Sequence, residues 1–87
     1  MNVYTLEEET IIKNFGDGDR LLDKYVLAVC KHEDLAMIKL EDRIKELQDI
    51  NHERGEPTIH RYNETDVELS YEDGTTFELY IAERVVH

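Results

Sequence analysis

The chain has no tryptophan, one proline, one cysteine and four glycines, and it is short of basic residues. Each shortage excludes something. A single cysteine, Cys30, can form neither an internal disulfide nor a thiolate metal site, so it reads as a small core residue of a protein kept in a reducing compartment. No apolar stretch approaches the roughly 18 residues a bilayer span requires, and no basic, apolar leader is present. The expectation is therefore a cytoplasmic protein with no membrane partner. Ten Lys and Arg stand against 21 Asp and Glu, for a net charge of -11 and a pI near 4.6. Phosphate binding depends on clustered cations that release counterions, so direct nucleic-acid binding is not expected. With no low-complexity tract and 40% hydrophobic residues, the 87 positions suit one domain, residues 1–87, with a single core.

The charge is uneven. Residues 55–87 hold eight acids and two bases, more than half of the net charge in the last third of the chain.

Thr5-Leu6-Glu7-Glu8 matches a capping box. A helix over 6–14 would follow, with Leu6, Ile11, Ile12 and Phe15 on its apolar side and Gly16 as a left-handed stop. Asp17 or Asp19 can cap a second helix to about Lys31, on which Leu22, Val26 and Val29 keep helical spacing. "YVLAV" within it is also β-branched enough for a buried strand. Met37, Leu40, Ile44, Leu47 and Ile50 form the firmest helical stripe, which ends before Gly55 and Pro57. The polar run Lys31-His32-Glu33-Asp34 favours a break between the two helices over one long rod.

Beyond Pro57 the period changes to two. In "VELSYEDGTTFELYI" a two-residue Asp73-Gly74 turn would mix apolar and polar faces across the ladder. A three-residue loop, Glu72 to Gly74, with Gly74 left-handed in a G1 bulge, pairs Leu69 with Phe77 and Val67 with Leu79. It also sets Glu68 against Glu78. The same parity test on "TIHRYNETDVEL" chooses an Asn63 to Thr65 connection, with His60 opposite Glu68. The expected fold class is α+β: N-terminal helices, about 5–54, packed on one face of a C-terminal three-stranded antiparallel β-meander, about 57–86.

Like charges directly opposed on a sheet are destabilising, so the Glu68/Glu78 pair marks a candidate site. The outward face would carry Tyr62, Asp66, Glu68, Glu78 and Tyr80, and with Glu72 and Asp73 these form the candidate partner-binding set. His60, Glu68 and Glu78 could also converge on a metal, although no ligand spacing is diagnostic. "DGD" at 17–19 lacks the alternating ligands and closing glutamate of a calcium loop. No nucleophile has an assignable base, and no cofactor motif occurs. Helices followed by a hairpin suggest a winged-helix DNA binder, but the helix over 34–54 and the hairpin are too acidic for that role.

These features resemble, in type only, the small acidic inhibitors of phages and mobile elements, including anti-restriction and anti-CRISPR proteins. That resemblance implies a non-enzymatic module that mimics nucleic-acid charge and blocks a basic protein partner such as a nucleic-acid enzyme. The alternative is a structural or regulatory homodimer joined along Met37, Leu40, Ile44 and Leu47. A weak metal-binding protein is the third reading.

Overall fold

The computed structural model describes residues 1–14 and 18–86, with the side chain of Asn14 left aside. The chain runs through strands β1 (Asn2–Asn14) and β2 (Gly18–Cys30), helix α1 (Glu33–Ile50) and a short 3-10 turn (His52–Arg54). Strands β3 (Thr58–Asn63), β4 (Asp66–Ser70) and β5 (Thr75–Val85) follow. All five strands join one antiparallel sheet in the order β2-β1-β5-β4-β3.

The α+β class stands, but the arrangement of N-terminal helices on a three-stranded meander is overturned. Residues 2–14 and 18–30 form a long hairpin, and β1 pairs with β5, so the meander becomes part of a wider sheet covered by one helix. Val3, Tyr4, Thr5, Thr10, Ile11 and Ile12 supply the β-branched and aromatic content that favours a strand here. The Thr5 hydroxyl, read as a helix cap, instead donates to Glu7 Oε2 at 2.8 Å in a buried contact on the sheet face away from α1. The expected apolar Phe15, the Gly16 stop and the Asp17 cap, with the first position of the "DGD" run, lie outside the described residues.

Parity assigns the faces of the sheet. Tyr4, Leu6, Glu8, Thr10 and Ile12 point to the α1 side, while Thr5, Glu7, Glu9 and Ile11 point away from it. On β2 the ladder shifts between its pairings with Leu6 and Glu7 and again between those with Thr10 and Ile11, which makes Leu27 and Leu22 extra residues. Each bulge reverses the alternation. That is why β2 shows helical rather than twofold spacing in its sequence.

The core lies between α1 and the sheet. Leu40, Ile44 and Leu47 of α1 pack with Leu6, Val67, Leu69, Tyr71 and Leu79, and Ala28, Phe77 and Ile81 fill its margin. The stripe read from the sequence is thus this copy's own core, with Ala36 buried at its start in place of half-buried Met37. Ile50, its expected end, is 63% exposed. The helix begins within the polar run, at Glu33, and strand β2 rather than a second helix precedes the break. Its C-terminus is closed by Asn51, whose Nδ2 donates to the Leu47 carbonyl at 2.9 Å, and the chain then turns at Gly55 with φ of 88°.

The β4–β5 register is the one expected. Val67 faces Leu79, Glu68 faces Glu78 and Leu69 faces Phe77. Gly74 has φ of 91°, and the Tyr71 amide donates to the Thr75 carbonyl at 2.8 Å. In the β3–β4 turn, Ile59 faces Leu69 and His60 faces Glu68 as expected, but Asn63 pairs with Asp66. The connection is therefore Glu64-Thr65 with Tyr62 as the extra residue, rather than Asn63 to Thr65.

Candidate functional site

The sheet face turned away from α1 carries the carboxylates. Strand pairing aligns His60, Glu68, Glu78, Glu9 and Lys24 in one row across all five strands, with Asp66, Tyr80, Glu7 and Val26 in the next. Of the candidate residues, Tyr62, Asp66, Glu68, Glu78 and Tyr80 come together here. Glu72 and Asp73 do not. They sit at the β4–β5 turn, where Arg54 bonds Asp73 and an open pocket is bounded by Ile50, Asn51, Glu53 and Arg54.

Glu7 and Glu9 join the site from β1, a segment read as helix from the sequence. No sequence signal singled them out, because their place depends on β1 lying beside β5.

The carboxylates fall into two groups. Glu68 accepts from Lys13 Nζ at 2.6 Å, Tyr62 Oη at 2.5 Å and Ser70 Oγ at 3.1 Å. Burial works to raise its pKa, but these donors outweigh it and hold the group below the ordinary carboxylate range. Glu7 follows the same pattern. Burial opposes its charge, while Arg84 Nη2 at 2.9 Å, the Thr5 hydroxyl and nearby Lys24 keep it ionised at lower pH than usual. Glu9 has Lys24 Nζ at 3.5 Å and the Tyr80 hydroxyl at 3.3 Å.

Asp66 and Glu78 have no such support. Among the described residues neither takes part in an ion pair. Asp66 Oδ1 is buried and, among the described residues, has no hydrogen-bond partner. Burial and then the charge of Glu68 raise the Asp66 pKa. Burial, and then Asp66, Glu9 and Glu68, raise that of Glu78. Two desolvated carboxylates thus stand beside three that have cationic or hydroxyl donors.

The metal alternative does not assemble. Among the described residues no three His, Cys, Asp or Glu side chains are placed to hold an ion, and the His60 ring packs in a tilted arrangement against Tyr62 with centroids 4.4 Å apart. Nor is any helix among them long and apolar enough to cross a membrane. No protein-family model, curated protein or solved structure matches the chain.

Proposed function

We propose that this protein is a small non-enzymatic binding module whose helix-free sheet face receives Lys or Arg side chains of a basic protein partner. The observation that supports it most directly is the Asp66/Glu78 pair, adjacent and partly desolvated, with no donor to Asp66 Oδ1 among the described residues. Both side chains are only half-buried, so an incoming guanidinium or ammonium group can meet their accessible oxygens and offset the repulsion between the two carboxylates. Tyr62 and Tyr80 border the pair and offer aromatic contact surface of the kind enriched at binding centres. The net charge of -11 would steer a cationic partner from a distance and accelerate its association.

The partner class that suits this chemistry is a basic nucleic-acid-handling protein, which the module would inhibit by occupying its groove as a charge mimic of the kind phages encode. Titration of the isotope-labelled protein with an arginine-rich peptide tests the first step. Backbone shifts should concentrate at residues 7, 9, 66, 68 and 78. Shifts confined to α1 or to the Asp73 turn would remove the sheet face from the interface.

A further inference from the structure

The two edges of the sheet differ. β3 is short, with Arg61 held by Glu41 on the helix, and its residues are polar apart from Ile59 and Tyr62. β2 spans Gly18–Cys30 and exposes Leu21, Leu22, Tyr25, Val26, Leu27 and Val29 along a row of backbone groups that no neighbouring strand satisfies. A long, apolar free edge is a template for another strand. Its charges are Asp19, Arg20, Asp23 and Lys24, two of each sign, in a chain that is otherwise strongly acidic. A basic partner strand would find as many cations there as anions. A reversed copy of the same strand would instead set each of its charges against one of opposite sign.

We propose that the free edge of β2 pairs antiparallel with the same edge of a second copy. A two-fold axis perpendicular to the sheet, with Leu21 of one copy beside Leu22 of the other, brings Asp19 opposite Lys24 and Arg20 opposite Asp23. Opposed residues must share a sheet face. The bulge at Leu22 satisfies that condition: Asp19 and Lys24 lie on the face away from α1, opposite Lys13 and Glu9, while Arg20 and Asp23 lie on the α1 face, opposite Ile12 and Thr10. Without the extra residue the odd spacing would set each charge against the wrong face. Among the described residues Arg20 and Asp23 make no ion pair within their own copy, so both are available across the axis. The paired segment, Gly18–Tyr25, covers Leu21, Leu22 and Tyr25 of each copy and joins the two sheets edge to edge with both helices on one side. The inference does not depend on the role of the acidic face.

Sedimentation equilibrium of the full chain tests it, with circular dichroism on every variant to show that the fold is kept. The parent should dimerise at high micromolar concentration. Arg20→Asp and Asp23→Arg each place like charges in register, so each alone should raise the dissociation constant about tenfold or more. Mixed together they should form a heterodimer, because every opposed pair is again of opposite sign. A parent that stays monomeric, or single variants that dimerise as the parent does, would overturn the pairing. Folded single variants that fail to associate on mixing would overturn this register.

Discussion

Glu68 and Glu78 face each other across β4 and β5, yet among the described residues only Glu68 is held by donors, from Lys13, Tyr62 and Ser70. Their protonation equilibria therefore move in opposite directions, Glu68 down and Glu78 up. A folded-state pKa below the unfolded value adds stability that is present above the unfolded pKa and lost as pH falls through the folded one. A raised value does the reverse, adding stability at low pH that disappears as pH rises through the folded pKa. At neutral pH Glu68→Gln should thus destabilise the fold and Glu78→Gln should stabilise it, each by roughly 0.5–1 kcal/mol. Urea unfolding at pH 7 measures both, and equal shifts of the same sign would contradict the asymmetry.

Much of this site was legible in the C-terminal sequence, where clean twofold alternation and one glycine suffice to fix register. Tyr71 and Leu69 can face Thr75 and Phe77 only if Gly74 takes the left-handed position, and it does. The N-terminal half hid its strands for two physical reasons. Glu8 occupies a core-facing position of β1, which breaks the expected alternation, and the bulges at Leu22 and Leu27 reverse the alternation of β2 twice. Tertiary pairing with β5 then prevailed over a local capping-box pattern that satisfies backbone groups only if a helix follows. Consequently Glu7 and Glu9 were invisible as site residues, whereas Glu68 and Glu78 were not.

The turn at Gly74 carries a separate prediction. A side chain there would have to adopt φ of 91°, and its Cβ would meet the Lys13 carbonyl oxygen at 3.0 Å. That approach is tight because the Lys13 amide donates to the Gly74 carbonyl at 3.0 Å, tying the turn to β1. Gly74→Ala should cost about 1–2 kcal/mol or more from backbone strain and the close contact together. Gly55→Ala shares the positive φ but meets nothing within 4 Å, so it should cost less. Paired thermal melts compare the two.

Leu40 and Ile50 belong to one sequence stripe but not to one environment. Leu40 is fully buried against the sheet, whereas Ile50 stands largely in solvent. Leu40→Ala should destabilise by about 2–5 kcal/mol through lost transfer energy and the cavity left behind. Ile50→Ala should stay within about 0.5 kcal/mol. Equal effects in denaturant titrations would mean that the helix meets the sheet on another face.

The core-facing Glu8 is 2% exposed, so its charge requires a partner. Arg43 of α1 supplies it in a forked arrangement, Nε donating to Oε1 at 2.8 Å and Nη2 to Oε2 at 3.1 Å, while Nη1 donates to Glu46 at 2.6 Å. The pair fixes where along β1 the helix can lie, because only one turn of α1 presents a guanidinium to that position. Removing one member leaves an uncompensated charge in a poorly solvated place, so Arg43→Met should cost about 3 kcal/mol. Glu8→Leu in the same chain should recover most of that loss, since an apolar pair of similar volume needs no desolvated charge. A double-mutant cycle in urea measures the coupling. If Arg43→Met alone proves as benign as a surface substitution, then Glu8 is solvated in solution and the helix does not close over β1 at this point.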